Sequence, residues 1–412
     1  MNIIKVAENQ IFNFFYAKFA LRSINSFTNY SMKRFSLILV AVFIIAVALL
    51  FTPPLSHIRN FVGWGAHSVH DYKTHPTEII EKSGSPQPWV LDSMYNQRSI
   101  PDSLMMVIDS NDTHAFLVFQ KGKLLYEKYF DGYDKNTLSG SFSAAKSIIS
   151  MLVGIAIDEG KIKSVNEPVA NYIDHFKEGK LVDIKIKDLL TMSSGTSWDE
   201  SDQGYFSLNG KAYYGDDMGY VVNQFEYKEP AGKTWEYRSG DTQTLGLIVE
   251  KVFGKSVADL TSEKLLQPMG AEADALWLLD GSEKHAKAFC CYNGVARDYA
   301  RFGHLILNEG SWNGRQLVSN KYMKEAITPA LYLKDPTEDF SPVDYYGYQF
   351  WILNYRGLKI NAMNGLFGQY VYAIPGKDAV VVRLGESKIT YFIHHSQPEN
   401  FTYIDAALSV LD

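Results

Sequence analysis

The chain has 412 residues, 46% of them hydrophobic and 21% charged, which excludes disorder as its overall state. Lysine and arginine total 40 against 46 acidic residues, a net charge of −6, so nothing in the charge balance calls for a nucleic-acid partner. The two cysteines are adjacent, Cys290 and Cys291, which excludes a disulfide scaffold; they read as two buried small residues, with a redox pair as the lesser alternative.

In chain order, the first distinct element is residues 35–51, FSLILVAVFIIAVALLF, with no charge, Ser36 as its one polar residue, and Pro53-Pro54 closing it. Its length is at the short end for a membrane-spanning helix, and it lacks the polar stripe of a soluble one. Lys33 and Arg34 directly before it place residues 1–34 in the cytoplasm and the bulk of the chain outside, which is the periplasm if the cell is Gram-negative. Met32-Lys33-Arg34 ahead of an apolar run also has the form of a secretory signal, which makes Met32 an alternative start. Cleavage after Ala46-Val47-Ala48, giving a secreted protein, competes with retention as a transmembrane or signal-anchor helix, and the apolar run continuing to Phe51 favours retention.

Residues 52–100, with Pro86 and Pro88 and few periodic runs, read as a linker and N-terminal wrap, and one folded domain is expected over 101–412. Residues 114–120 (HAFLVFQ) and 123–130 (KLLYEKYF) flank Lys121-Gly122 as a hairpin. Residues 143–159 read as one helix stopped by Gly160. The pattern is mainly helical from about 165 to 340, with the clearest helices at 188–192, 242–252 and 296–307. Strands return at 347–353, 358–363, 370–374 and 379–384, and a helix near 403–411 ends the chain. Strands at both ends of a helical middle predict an α+β fold: one antiparallel sheet closed by both termini, flanked by helices, with an inserted helical lobe. The sequence sets no oligomeric state.

The helix at 143 carries the chemistry. It is apolar almost all round, except that Ser143, Lys146, Ser147, Ser150 and Gly154 form a narrow stripe at spacings of three and four. An unpaired buried lysine is costly, so Lys146 must reach solvent or a polar cleft. Ser143-x-x-Lys146 puts a hydroxyl and an amine on one helical face, and burial together with the helix N-terminus lowers the amine's pKa into the range of a base for serine. This is the sole Ser-x-x-Lys in the chain. Rival motifs fail: there is no Gly-x-Ser-x-Gly, no His-Glu-x-x-His, no phosphate loop and no dinucleotide fingerprint. The close histidine pairs, His67/His70 and His394/His395, read as structural, and neither metal nor cofactor is expected.

With that motif in place the sequence resembles the serine β-lactamase-like superfamily of penicillin-binding proteins, class C β-lactamases and related esterases. The family's Tyr-x-Asn/Ser motif is met by Tyr237-Arg238-Ser239; Tyr205-Phe206-Ser207 fits the bare pattern but lacks the Gly-Asp and helix that follow Ser239. Where the family usually has Lys-Thr-Gly or His-x-Gly, this chain has Asn364-Gly365-Leu366-Phe367-Gly368-Gln369, with Leu366 at the cation's place. DLLTMSSGTSWDE at 188–200, ARDYARFGHLILNEGSWNGRQLV at 296–318 and YGYQFWIL at 346–353 look most like the 6-aminohexanoate-dimer hydrolase branch, and the likeness covers about residues 100–400.

The resemblance implies a β-lactamase/transpeptidase-like fold and a serine hydrolase that cleaves carboxylic esters or linear amides, its small-molecule partners, through an acyl-serine. In that role Ser143 is the nucleophile, Lys146 and Tyr237 move protons, and Ser239 orients them. The backbone N–H groups of Ser143 and Gln369 form the oxyanion hole, and Leu366, Phe367, Gly368 and Trp198 line the pocket. One alternative is a β-lactamase or D-Ala-D-Ala carboxypeptidase, which the missing cation weakens unless Lys359, Arg383 or Arg238 replaces it. The other is a catalytically inactive membrane-tethered binding protein, against which the intact Ser143, Lys146 and Tyr237 argue.

Overall fold

The computed structural model describes residues 30–202, 204–282, 284–389 and 395–412 and divides into two units, Met1–Phe51 and Thr52–Asp412. Residues 1–29 of the expected cytoplasmic segment, and His394, lie outside the described residues. The first unit holds helix α1 (Tyr30–Leu49), which spans most of the apolar run and exposes Leu37, Ile38, Phe43 and Ile44. Among the described residues no single helix is long and apolar enough to cross a membrane.

The second unit is built on a six-stranded antiparallel sheet. Its strands are β1 (Thr113–Gln120), β2 (Lys123–Tyr129), β3 (Trp351–Tyr355), β4 (Leu358–Gly365), β5 (Gln369–Ile374) and β6 (Ala379–Gly385), in spatial order β3-β4-β5-β6-β1-β2. The β6–β1 pairing, Val382 opposite Leu117, joins the C-terminal strands to the N-terminal hairpin, so both ends of the unit close one sheet as expected. Side chains alternate faces along each strand. Ala115, Leu117, Phe119, Val371, Val380 and Val382 face the core that contains the inserted lobe. Phe116, Val118, Tyr370, Tyr372 and Val381 face the opposite core. With both faces covered, the strands read as continuous apolar runs. The expected strand at 347–353 starts later, at Trp351, because Tyr346–Phe350 form a turn in which Gln349 is left-handed (φ 65).

Residues 52–100, expected as linker and wrap, carry ordered elements. Helix α2 (Pro53–Trp64) opens with its two prolines in the first turn, where a missing N–H costs nothing, and buries Ser56, His57 and Asn60. Asn60 Nδ2 donates to Tyr214 O at 2.7 Å, and Arg59 pairs with Asp216 at 2.7 Å. Strand Thr77–Ile80 then joins a second antiparallel sheet that the sequence pattern does not announce, in the order Thr77–Ile80, Ala275–Leu278, Tyr292–Gly294, Ser139–Gly140. Its last strand leads directly into Ser143.

Helices α3 (Ala145–Asp158), α4 (Ser239–Phe253) and α5 (Ala296–Leu307) fill the core on the lobe side, and α6 (Glu399–Val410) packs into the other. The polar stripe on α3 divides its labour. Ser147 Oγ donates to Gln349 O at 2.6 Å, Ser150 Oγ lies 3.0 Å from Tyr322 Oη, and a Cβ at Gly154 would come within 2.5 Å of the Tyr322 ring. The lower stripe therefore admits residues 318–349, leaving Ser143 and Lys146 for a different surface.

Candidate active site

After strand Ser139–Gly140 the chain turns sharply. Ser141 N donates to Tyr292 O at 2.7 Å, Phe142 adopts a left-handed conformation (φ 43), and Phe142–Ala144 form a 3-10 turn before α3 begins. Ser143 thus sits at the head of the helix, partly exposed, while every residue from Ala145 to Ala156 is buried. Lys146, 2% exposed, is one turn on. Its Nζ donates to Ser143 Oγ at 2.9 Å and to Phe289 O at 2.7 Å. Burial pushes the amine down to about 8, against a smaller upward pull from Glu200. A neutral amine within proton-transfer distance of a hydroxyl is the arrangement of a base and its nucleophile.

Tyr237 arrives from the segment preceding α4, its ring centroid 5.0 Å from Lys146 Nζ and stacked on Trp351 at 5.7 Å. Burial raises its phenol pKa, the charge of Glu200 raises it further, and a hydrogen bond with the Ser143 side chain acts in the opposite sense. Near neutral pH the phenol therefore holds its proton, and Lys146 is the better base of the two. Ser239, the first residue of α4, donates from N and from Oγ to the Glu200 carboxylate, each at 2.7 Å. Tyr205 of the rival motif is 49% exposed and outside the cleft, and Ser207 there caps the helix Leu208–Tyr214.

The third wall is the end of β4. A Cβ on Gly365 would lie 2.0 Å from Ser141 O and 3.2 Å from Ala144 N, so glycine is required here for close approach to the turn that carries Ser143. Asn364, Gly365 and Leu366 line the cleft, whereas Phe367, Gly368 and Gln369 do not. The chain reverses at Phe367 (φ 61) and Gly368 (φ 79), which turns the Phe367 ring onto Phe142 at 5.2 Å and sends Gln369 into the sheet, where its amide donates to Gly385 O. Trp198 is fully buried behind the wall with its indole N–H on Glu200 at 2.6 Å. Of the four pocket residues expected, only Leu366 lines the cleft; Gln369, expected as an oxyanion donor through its backbone N–H, directs its side chain into the sheet.

The candidate replacement cations are engaged elsewhere. Lys359 donates to Ile327 O, Arg383 holds Phe367 O and Gly368 O from behind the turn, and buried Arg238 pairs with Glu229 and Glu236. The cleft, about 820 Å³, is instead walled by aromatic rings and by Asp199, Glu200, Glu236 and Asp335. Among the described residues no lysine or arginine lines it, and the rim histidine His67 is held neutral, burial pushing it down to about 4. Asp335 is paired with His395 at 2.6 Å. Among the described residues no group of three or more His, Cys, Asp or Glu side chains is placed to hold a metal ion. Cys290, on the cleft wall, is bonded to Cys291 in a vicinal disulfide, both residues being buried.

Sequence reasoning missed Glu200 and the contribution of the wrap, which brings His67 to the rim. A signal for Glu200 did exist. Helix α4 begins behind Arg238, whose side chain makes no capping hydrogen bond, so its first N–H needs an acceptor from elsewhere in the chain.

Ser143 and the buried Lys146 stand at a helix head with the Tyr237 ring beside the amine, on the α+β fold of the β-lactamase-like serine hydrolases. Residues 113–390 match the Beta-lactamase family, and the chain belongs to it. It is 25% identical over 305 residues to the 6-aminohexanoate-dimer hydrolase of Paenarthrobacter ureafaciens, covering 69% of this chain and 75% of that one. It is 27% identical over 331 residues to the teichoic acid D-alanine hydrolase of Staphylococcus aureus strain MRSA252, covering 74% of this chain and 78% of that one. Among solved structures, a family VIII carboxylesterase superposes with a TM-score of 0.60 at 16% identity, covering 81% of this chain and 100% of that one. A Bacillus anthracis protein provisionally named a 6-aminohexanoate-dimer hydrolase reaches 0.69 at 21% identity, covering 88% of this chain and 95% of that one. These superpositions show the shared fold.

Proposed function

We propose that the protein hydrolyses carboxylic esters or linear amides through an acyl-serine on Ser143. The observation that carries this reading is the 2.9 Å contact of a buried, desolvated Lys146 Nζ with Ser143 Oγ. Neutral Lys146 takes the Ser143 proton as Oγ attacks the carbonyl. Tyr237, whose phenol stays protonated, delivers a proton to the leaving group and is reprotonated by way of Lys146. Water then cleaves the ester by the reverse transfers. The Ser143 N–H, at the head of the turn, supplies one oxyanion donor, and such donors contribute about 3–4 kcal/mol to the transition state.

The substrate class follows from charge. A carboxylate taken out of water needs a paired cation or several donors, and this cleft offers carboxylates and no lysine or arginine among the described residues. Substrates without a free carboxylate on the carbon that bears the leaving nitrogen or oxygen are favoured over β-lactams. The hydrolase relatives act, by name, on the 6-aminohexanoate dimer and on teichoic acid D-alanine, and neither is a β-lactam. The test is labelling and turnover by the full-length chain. A fluorophosphonate should label wild type and not Ser143→Ala, and a short p-nitrophenyl ester should exceed nitrocefin in kcat/KM by at least about tenfold, roughly 1.4 kcal/mol in barrier. Label retained in Ser143→Ala defeats the nucleophile; nitrocefin turned over equally well moves the protein to the β-lactamases.

The same reading places this chemistry outside the cytoplasm, with residues 35–51 as the anchor. Support comes from Lys33-Arg34 and from an uncharged run whose apolar side chains are exposed in α1. A periplasm-active reporter fused after Asp412 should be active in membrane fractions. Activity in the soluble periplasm would mean cleavage, and a cytoplasmic soluble protein would refute the placement.

A further inference from the structure

One charged group at the site has no part in the steps above. Glu200 offers one carboxylate oxygen to Ser239 Oγ–H at 2.7 Å and the other to Ser239 N–H at 2.7 Å and Trp198 Nε1–H at 2.6 Å. It therefore satisfies the first N–H of α4, a helix whose N-terminal residue Arg238 makes no side-chain capping bond, from a different segment of chain. A carboxylate at a helix N-terminus is doubly suited to that place, as acceptor and as countercharge to the dipole. Tyr237 lies two residues ahead of this anchor, so the carboxylate that fixes Ser239 also fixes where the phenol stands.

The charge reaches further than the hydrogen bonds. Lys146 is faced by Ser143 on its own helix, by the Phe289 carbonyl and ring, and by the Tyr237 ring. Glu200 is the charged group that acts on it, favouring the ammonium, and the same charge disfavours ionisation of Tyr237 and Tyr346.

We propose that Glu200 is a positioning residue of this site, holding Ser239 and through it the Tyr237 phenol, while placing a negative charge beside the Ser143–Lys146–Tyr237 group. The inference rests on the acyl-serine reading. It has a consequence that a merely structural carboxylate would not have: removing the charge makes Lys146 easier to deprotonate, so the acidic limb of the pH–rate profile moves to lower pH.

The test is the pH dependence of kcat/KM for a p-nitrophenyl ester, measured on full-length wild type, Glu200→Gln and Glu200→Asp, with thermal melts of each. Glutamine keeps one acceptor oxygen, replaces the other with an NH2 group that cannot accept, and carries no charge. Its plateau should fall about tenfold or more and its acidic limb should shift down by roughly half a pH unit or more. Aspartate keeps the charge but not the reach, so its plateau falls and its limb stays. A glutamine limb that stays or rises, or a plateau that does not fall, overturns the proposal. Should the glutamine variant melt below the assay temperature, the aspartate variant decides, and an undiminished plateau there overturns it. Fluorophosphonate labelling of wild type separates the two levels: no label on Ser143 fails the acyl-serine reading, whereas a labelled Ser143 with an unmoved limb fails only Glu200.

Discussion

Ser143 and Lys146 lie three residues apart at the start of one helix buried from Ala145 to Ala156, whereas the wall they face is assembled from residues near 200, 237, 335 and 365. The first half is held by core packing and by two hydrogen bonds from one amine. The second half is held by turns, by a carboxylate capping a distant helix and by a glycine pressed against the nucleophile backbone. The Ser143–Lys146 pair is fixed within one helix, whereas the wall it faces depends on contacts between segments distant in sequence.

Lys146→Met strikes the helical half and should have the largest effect, lowering kcat by about 10³ or more. Its effect on stability runs the other way. The folded state holds this lysine's pKa at about 8, below its unfolded value, so charging it penalises the fold at pH 7, and the penalty fades as pH rises through about 8 toward 10.5. Removing the amine lifts a cost of about 3 kcal/mol and leaves Phe289 O unpaired at about 1–3 kcal/mol, so the melting temperature should hold or rise. A large drop in Tm would contradict the placement.

Wild type should show an acidic limb in kcat/KM with a midpoint near pH 8, about a hundredfold below plateau at pH 6, because Lys146 must be neutral to accept the serine proton. A flat profile from 6 to 9 would remove Lys146 as the base. Gly365→Ala tests the contact between the halves: its Cβ meets backbone on both sides, so Ser143 must shift, and kcat should fall by up to about a hundredfold. An active Gly365→Ala enzyme would mean the wall does not position the nucleophile. The smallest effect is expected at the wall. Leu366→Lys supplies the absent cation, and the ratio of nitrocefin to ester kcat/KM should rise about tenfold, with the ester rate nearly unchanged.

What the sequence made legible divides along the same line. A single turn of helix fixes the relation of Ser143 to Lys146; the rest of the small-polar stripe, Ser147, Ser150 and Gly154, packs against Gln349 and Tyr322 and not on the cleft. Tyr237 was readable from its setting, Gly-Asp and a helix following. The wall was not. Whether Leu366, Phe367, Gly368 or Gln369 faces the cleft depends on where the chain reverses, and left-handed Phe367 puts that reversal one residue past Leu366. Trp198 was expected in the pocket, yet it is fully buried, and Asp199 and Glu200 just after it line the cleft instead. The second sheet escaped notice because two of its strands are three residues or fewer. The helix inside the expected wrap, α2, escaped because polar side chains, Arg59 and Asn60, help dock it.

The central claim is a covalent ester on Ser143 formed with Lys146 as base. Its most direct test is rapid-quench mass spectrometry of the full-length chain with a slow p-nitrophenyl ester, followed by peptide mapping. The account predicts one acyl adduct per chain on the peptide containing Ser143, appearing at the rate of the p-nitrophenol burst and absent from Ser143→Ala. Turnover with no adduct, or an adduct mapped to another residue, would contradict it.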